Sequence, residues 1–227
     1  MVSFLQGKNL AVQGDSISSQ FANAWQNVVT TRTGMTLAVQ EALGGRTFAS
    51  SLQCWGNPAV GQPLGTYTAN FIIPAWGIPC SASTSGLTDG MTMAQSLANV
   101  DIEVIELGTN DQFVPLGALG DATNAGTFYG NMRWVVEAYI NAKPTLRVVL
   151  VTPQYNKYVS AATTQQYVNA MVSYGDSMGV PVINMYALGG VNALNIATMT
   201  PDGVHPAPVD FSTFYGPVIA QGIQRVF

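Results

Sequence analysis

The chain has 227 residues, of which 48% are hydrophobic and only 9% carry a charge. A chain of this length buries a large core without the help of disulfides or metals, and its hydrophobic content excludes intrinsic disorder. The formal net charge is −4, and the 8 basic residues are scattered along the chain. Such a charge pattern offers no basic patch for a phosphate backbone, so we expect no nucleic-acid partner.

Two stretches of the sequence bear on membrane insertion and export. No charged residue lies between Arg46 and Asp89. Prolines, glycines and serines interrupt this interval, so it does not predict a membrane-spanning helix. Residues 1–10 lack the basic start and apolar run of a signal peptide. The sequence leaves open a cytosolic protein, a protein exported by another route, and a domain of a larger protein.

Strand and helix patterns alternate along the chain. The predicted strands are residues 10–12, 36–40, 101–107, 147–151 and 180–184, and the predicted helices are residues 21–31, 123–143, 163–178 and 211–226. The strand at 147–151 is apolar throughout, as in a parallel sheet that is covered on both faces. This order predicts a single α/β domain, residues 1–227, with an open parallel sheet between helical layers. Residues 50–95 form a loop-rich aromatic insertion.

The chain contains one histidine, His205, in a turn-rich segment after the last predicted strand. A lone histidine is most often a surface residue or a satisfied core residue. Here Asp202 precedes it by three residues, across Gly203. The Asp202 carboxylate can then accept a hydrogen bond from one ring nitrogen and leave the other free as a general base. This context favours a catalytic role for His205.

Two serines occur in a Gly-Asp-Ser sequence, and each is a candidate nucleophile. Ser177 has the letters of the G-x-S-x-G nucleophile elbow, but it follows a helix and precedes a strand, which is the reverse of that elbow's setting. Its neighbours Gly175 and Gly179 are typical of residues that end a helix. Ser16 follows a strand and precedes a helix, which places its hydroxyl at the carboxyl edge of the sheet. We therefore favour Ser16.

Two further loops at this edge offer donors for an oxyanion. Asn110 follows the third predicted strand, and Gly44 and Gly45 follow the second. Glycine and asparagine are also ordinary turn residues, so each loop alone carries little weight. Suitable groups on three loops from three strands together predict a site for nucleophilic catalysis.

Four sequence blocks resemble those of the SGNH hydrolases, the superfamily of GDSL-type esterases and lipases. They lie at residues 14–18, 45–47, 108–111 and 202–206, in the order of the family, so the resemblance extends over nearly the whole chain. Ile17 stands where leucine is usual in the first block. The resemblance implies a three-layer α/β/α fold with a flavodoxin-like, doubly wound sheet of five parallel strands.

The resemblance also implies a role for each site residue. Ser16 is the expected nucleophile, His205 the general acid and base, and Asp202 the residue that orients the histidine. The expected oxyanion hole consists of the Ser16 and Gly45 backbone N–H groups and the Asn110 side chain. This is the catalytic machinery of a serine-dependent carboxylic ester hydrolase.

Four aromatic residues lie in the insertion: Trp55, Tyr67, Phe71 and Trp76. They form either the core of a lobe packed on the sheet or a wall that faces the substrate, for example by stacking on sugar rings. For the second alternative, we name Trp55 and Trp76 as the substrate-binding residues.

Cys54 and Cys80 lie in the same insertion. A disulfide between them would fit an extracellular or virion-associated protein, which is the location we expect, but two cysteines in a chain of this size are as often free and buried. One histidine and two distant cysteines do not supply a zinc site, and there is no calcium loop, phosphate-binding loop or dinucleotide motif. We therefore expect no metal and no cofactor.

The expected substrate is a small-molecule or glycan ester. A surface rich in hydroxyl and amide groups, together with the aromatic lobe, favours carbohydrate that carries acetyl or other short acyl groups. Lipid esters or small aryl esters are the second expectation. From another functional class, the alternative is a glycan-binding domain without turnover, although a pure binding domain would not need a nucleophile, a base and an oxyanion asparagine together.

Overall fold

The structure is a computed structural model that describes residues 4–19, 24–56, 64–69, 72–73, 78–80, 84–85, 87–123 and 125–227. The strands are β1 (Asn9–Gly14), β2 (Thr36–Ala42), β3 (Ile72–Ile73), β4 (Ile78–Pro79), β5 (Thr84–Ser85), β6 (Ile102–Glu106), β7 (Arg147–Val151) and β8 (Val182–Ile183). The helices are α1 (Ser16–Ser19), α2 (Ala24–Thr33), α3 (Phe48–Cys54), α4 (Met93–Ser96), α5 (Phe128–Ala142), α6 (Ala161–Met178), α7 (Met185–Leu188), α8 (Ile196–Met199), α9 (Pro208–Asp210) and α10 (Gly216–Val226). A 3₁₀ turn covers Asn110–Phe113, and a π-helical turn covers Phe211–Tyr215.

The central sheet has the strand order β5-β2-β1-β6-β7-β8. The strands from β2 to β8 in this order are parallel, so the predicted sheet of five parallel strands is confirmed. Their order is that of a flavodoxin-like sheet, with its switch point between β1 and β6. The short strand β5 comes from the insertion and pairs antiparallel with β2, an addition that the sequence did not predict.

The central strands are buried on both faces because alternate residues enter two separate hydrophobic layers. Val104 and Val149 face a layer that contains residues of α2 and α10. Ile105 and Leu150 face a second layer, which contains residues of α3, α5 and α6. These are the three layers expected from the sequence. Among the described residues, no helix has the length and apolar character needed to cross a membrane.

Only one of the two glycines near the end of α6 terminates that helix. Gly179 adopts a left-handed conformation, with φ of 66°, and caps the helix as predicted. The prediction for Gly175 is wrong, because this residue lies inside the helix. It is a glycine because α6 passes close to the start of β8: a Cβ at position 175 would lie 2.6 Å from the Val180 carbonyl oxygen.

The described aromatic residues of the insertion form a core. Trp55 is 1% exposed, and its ring packs against that of Tyr67 with 5.1 Å between centroids. The prediction that Trp55 lines a substrate-facing wall is therefore wrong, since the indole lies in the hydrophobic layer beneath the sheet edge. Trp76 and Phe71 lie outside the described residues. A disulfide joins Cys54, at the end of α3, to Cys80, which decides an alternative that the sequence left open.

Candidate active site

Ser16 begins helix α1, directly after the carboxyl end of β1. The turn requires glycine at position 14, because a Cβ there would lie 2.3 Å from Ser18 Oγ. Asp15 fixes the turn from within, since its Oδ1 accepts the Ile17 N–H at 2.8 Å. The strand, turn and helix expected around Ser16 are thus present.

The Asp202 carboxylate organises the loop that carries the histidine. Its Oδ1 accepts the backbone N–H groups of Val204, at 2.9 Å, and of His205, at 2.8 Å. Its Oδ2 lies 2.6 Å from His205 Nδ1. The three-residue spacing between Asp202 and His205 therefore corresponds to a local turn. One carboxylate oxygen accepts hydrogen bonds from the backbone, and the other bonds to the imidazole ring. Gly203, with φ of 89°, supplies the left-handed residue inside this turn.

The histidine connects this loop to the serine, 189 positions away in sequence. His205 Nε2 lies 2.7 Å from Ser16 Oγ. In the tautomer that satisfies both contacts, Nδ1–H donates to Asp202 and Nε2 accepts the Ser16 hydroxyl hydrogen. The three side chains predicted from the sequence are thus brought into one continuous hydrogen-bonded chain.

Asp202 is held in its ionised form. Burial of the carboxyl raises its pKa, but hydrogen bonds from the His205 ring and from the backbone N–H groups of His205 and Val204 outweigh this effect. The pKa of Asp202 therefore lies below its ordinary value. An ionised carboxylate at Nδ1 stabilises the imidazolium that forms when the ring accepts a proton.

Asn110 begins the 3₁₀ turn after β6, and its amide group contacts the loops of both β1 and β2. Asn110 Nδ2 donates to Asp15 Oδ2 at 3.2 Å and to the Arg46 carbonyl oxygen at 3.1 Å. Its two amide hydrogens are thus directed toward the two loops that flank the serine. Asp15 orients the Asn110 side chain, a role that the sequence analysis did not assign.

The turn after β2 brings two glycines to the same edge. The Arg46 N–H donates to the Leu43 carbonyl oxygen at 3.1 Å and closes this turn. Gly45 has φ of 75°, and a Cβ on Gly44 would lie 3.9 Å from Ser16 Cβ. Both glycines therefore lie in a tight turn beside the serine, and the choice of Gly45 as the oxyanion donor stays a prediction.

Three buried carboxyl groups lie in these loops or at the end of β6, and burial raises the pKa of each. The pKa of Asp15 rises to about 7, although the Ile17 N–H and the nearby His205 partly oppose this. Burial likewise raises the pKa of Asp111 to about 8 and that of Glu106 well above its ordinary value. Asp111 Oδ1 accepts the Phe48 N–H at 3.0 Å, which ties the loop after β6 to the start of α3.

A buried ion pair supports the turn of Gly45. Arg46 Nη1 lies 2.5 Å from Glu41 Oε1, and both side chains are almost completely buried. Glu41 Oε2 accepts the Trp55 indole N–H at 2.8 Å and the Tyr139 hydroxyl at 3.2 Å. This pair fixes the residue whose carbonyl oxygen accepts from Asn110. The only signal for Glu41 in the sequence is an acidic residue at the end of a predicted strand.

The loop after β7 contacts the histidine loop at three points, none of which the sequence analysis anticipated. Gln154 Nε2 donates to the Val204 carbonyl oxygen at 2.7 Å. The Lys157 N–H donates to the Gly203 carbonyl oxygen at 3.0 Å, and the Tyr158 hydroxyl donates to that of Asp202 at 2.8 Å. No motif marks these residues, so only the three-dimensional structure identifies them.

Ser177 lies far from this assembly. It belongs to the last turn of α6, where its hydroxyl donates to the Tyr174 carbonyl oxygen at 2.8 Å. Because the chain next enters β8, Ser177 lies at the amino edge of the sheet, opposite Ser16. The structure therefore brings His205 together with Ser16 and not with Ser177.

Comparison with known proteins places the chain in a family. Residues 12–209 match the model of the GDSL-like Lipase/Acylhydrolase family. The chain belongs to this family. The resemblance drawn from the four sequence blocks is thus confirmed, and this GDSL-like acylhydrolase is a carboxylic ester hydrolase, as predicted.

Solved structures share the fold of this GDSL-like acylhydrolase. The lipase/acylhydrolase from Enterococcus faecalis is similar with a TM-score of 0.63 and 16% identity, over 96% of each chain. A possible lipase from Chitinophaga pinensis has a TM-score of 0.62 and 15% identity, over 96% of this chain and 98% of its own. A GDSL-like lipase from Bacteroides thetaiotaomicron has a TM-score of 0.57 and 16% identity, over 97% and 89%. No curated protein sequence matches the chain.

Proposed function

We propose that this protein hydrolyses esters through an acyl-enzyme on Ser16, with His205 as general base and acid and Asp202 as its orienting partner. The observation that carries this proposal is the continuous chain of contacts, 2.7 Å from Ser16 Oγ to His205 Nε2 and 2.6 Å from His205 Nδ1 to Asp202 Oδ2. A nucleophile within hydrogen-bond reach of a base that is itself oriented by a third group is the arrangement that activates a serine hydroxyl.

In the first half of the reaction, Ser16 Oγ attacks the ester carbonyl carbon while its proton moves to His205 Nε2. The carbonyl oxygen becomes an oxyanion that accepts hydrogen bonds from the Ser16 N–H, the Gly45 N–H and Asn110 Nδ2. Asn110 keeps one amide hydrogen on Asp15 and turns the other from the Arg46 carbonyl oxygen to the oxyanion. Collapse of the intermediate expels the alcohol, which takes the proton from His205.

In the second half, water attacks the acyl group on Ser16. His205 Nε2 accepts the water proton and then returns a proton to Ser16 Oγ as the carboxylic acid leaves. Overall, one ester and one water are consumed, and one carboxylic acid and one alcohol are released. No step requires a metal or an organic cofactor.

We further propose that the substrate is carbohydrate carrying acetyl or other short acyl groups. Support comes from the low share of charged residues, 9%, and from the amide and hydroxyl groups of Asn110, Gln154 and Tyr158 on the loops around the site. Lipid or aryl esters are the second candidate. One observation favours them: Phe113 is 79% exposed in the 3₁₀ turn that begins with Asn110.

A substrate panel tests the proposal. We expect wild-type enzyme to hydrolyse p-nitrophenyl acetate faster than longer p-nitrophenyl esters, and to release acetate from acetylated xylan with a higher kcat/KM than from ethyl acetate. Rates that increase steadily with acyl length would instead support lipid esters. If no ester of the panel is hydrolysed, the proposed reaction on carbohydrate esters is contradicted, and the glycan-binding alternative takes its place.

A further inference from the structure

Three tyrosines lie on the loops that follow β7 and β8, and the loop after β7 contacts the histidine loop. Tyr155 and Tyr158 follow β7, and Tyr186 lies in the first turn of α7, directly after β8. All three follow carboxyl ends of parallel strands, so they lie at the same edge of the sheet as Ser16. We call this group the tyrosine cluster.

The tyrosine cluster is fixed to the catalytic loop. The Tyr158 hydroxyl donates to the Asp202 carbonyl oxygen at 2.8 Å. Tyr155 stands between Gln154 and Lys157, which hydrogen-bond to the carbonyl oxygens of Val204 and Gly203. The Tyr155 and Tyr186 rings lie 6.4 Å apart between centroids. The Tyr158 side chain and the loop that carries Tyr155 are therefore positioned by contacts with the residues before His205. Tyr186 joins the cluster through its ring contact with Tyr155.

Tyr158 is held in place and exposed at the same time. Asn156 is buried, and its Oδ1 accepts the N–H groups of Tyr158 and Val159 at 3.0 and 3.1 Å, which fixes the backbone of the loop. Tyr158 is nevertheless 64% exposed, with the Lys157 ammonium 5.2 Å from its ring centroid. A preorganised aromatic ring contributes binding energy without a further loss of side-chain entropy.

The direction of the reaction indicates which part of the substrate meets this cluster. His205 Nε2 must protonate the leaving alcohol oxygen, so the alcohol portion lies on the histidine side of the ester bond. The oxyanion donors lie on the loops after β1, β2 and β6 instead. The alcohol portion, and not the acyl chain, is therefore directed toward the loops after β7 and β8.

We propose that Tyr155, Tyr158 and Tyr186 form a subsite for a sugar ring on the alcohol side of the scissile ester. The subsite rests on the proposed function of Ser16 and His205 and specifies the substrate class. Phenol rings suit a ligand with apolar C–H faces and polar edges, because an aromatic face packs against C–H groups while a hydroxyl bonds to polar groups. Tyr158 offers its ring, since its hydroxyl is held by the Asp202 carbonyl oxygen. Lys157 adds a donor for sugar hydroxyls. A lipid chain would instead require an enclosed apolar pocket.

Kinetics provide the first test. The quantity measured is the ratio of kcat/KM for acetylated xylan to kcat/KM for ethyl acetate, whose alcohol portion is too small to reach the subsite. We expect Tyr155→Ala and Tyr158→Ala to lower this ratio about tenfold. Tyr158→Phe keeps the ring and should lower it less than threefold. The control Phe4→Ala removes an exposed aromatic ring before β1, at the opposite edge of the sheet, and should leave the ratio unchanged.

Binding provides a second test that does not depend on turnover. Calorimetry measures the affinity of Ser16→Ala protein for unacetylated xylohexaose, with and without Tyr155→Ala. An affinity that falls at least fivefold on loss of Tyr155 supports the subsite even if wild-type enzyme proves inactive on esters. Two results in active enzyme would together overturn the subsite and leave the esterase proposal standing: a ratio that is unchanged in Tyr155→Ala and Tyr158→Ala, and a sugar affinity that is unchanged by Tyr155→Ala. The subsite would also be overturned if wild-type enzyme had a higher kcat/KM for aryl acetates than for sugar acetates and Tyr155→Ala lost this preference.

Discussion

Asp15→Asn replaces a buried carboxyl next to Ser16, the proposed nucleophile, with an amide of nearly the same shape. We expect the variant to change stability and activity in different ways. Burial raises the pKa of Asp15 from 3.8 to about 7. A group with a raised pKa stabilises the folded protein while it is protonated. That contribution is complete below about pH 4 and is lost as the pH rises through about 7.

The magnitude follows from the two pKa values. Between about pH 5 and about pH 8, a carboxyl with these values loses roughly 3 kcal/mol of its contribution to the free energy of unfolding. An amide at position 15 does not titrate. We therefore expect the free energy of unfolding to fall less over this range in Asp15→Asn than in wild type, by at least roughly 3 kcal/mol. The Asp15 charge also raises the pKa of Glu106 and of Asp111, so its removal weakens the pH dependence that these two groups contribute.

Activity should fall in the same variant. An amide nitrogen at position 15 would face Asn110 Nδ2, and two N–H donors cannot form a hydrogen bond with each other. Asn110 would therefore lose the acceptor that orients its side chain. Removal of an oxyanion donor costs about 10²–10³ in kcat, so misorientation of Asn110 should cost about 10- to 100-fold, with KM changed less than threefold.

Urea unfolding followed by tryptophan fluorescence at the two pH values measures the stability, and p-nitrophenyl acetate hydrolysis measures kcat and KM. The matched control is Asp176→Asn, the same change at an exposed aspartate in the second Gly-Asp-Ser sequence, which should alter neither property. Equal pH dependence in wild type and Asp15→Asn would refute the buried protonated carboxyl. An unchanged kcat would refute the orientation of Asn110 by Asp15.

Two further variants test the site. Ser177→Ala should retain activity within a few-fold of wild type, since the Ser177 hydroxyl donates to a carbonyl oxygen of its own helix, α6. A large loss of kcat in folded protein would instead identify Ser177 as the nucleophile. Arg46→Met should lower the free energy of unfolding by about 3–5 kcal/mol, because it leaves Glu41 as a buried unpaired charge. Adding Glu41→Gln should recover most of the lost free energy of unfolding. A double variant as unstable as Arg46→Met alone would contradict the ion-pair explanation.

The parallel strands and long helices could be predicted because their patterns are local. The continuous apolar run at 147–151 and the Gly179 cap required no knowledge of distant residues. The sequence also pointed to the candidate site residues Ser16, Asp202 and His205, because each lies in a short turn whose hydrogen bonds are made within a few residues. The Asp202 carboxylate, for example, organises its own loop.

The remaining features depend on contacts between distant segments. From the sequence, Gly175 is typical of a residue that ends a helix. The structure shows instead that a side chain at this position would collide with β8 and the residue that leads into it. Tryptophan is a residue type that often stacks on a substrate, but the Trp55 indole N–H donates to the Glu41 carboxylate, 14 residues earlier, inside the core. Tyr158 carries no motif at all, and its relation to the catalytic loop is a contact across 44 residues.

The most direct test of the central claim is to identify the residue that reacts with an ester analogue. Diethyl p-nitrophenyl phosphate phosphorylates an activated serine and traps it, and peptide mapping by mass spectrometry then locates the label. We predict one label per chain, on Ser16, formed in step with the loss of activity and absent from His205→Ala. A label on Ser177, or inactivation without any label on Ser16, would contradict the assignment of the nucleophile.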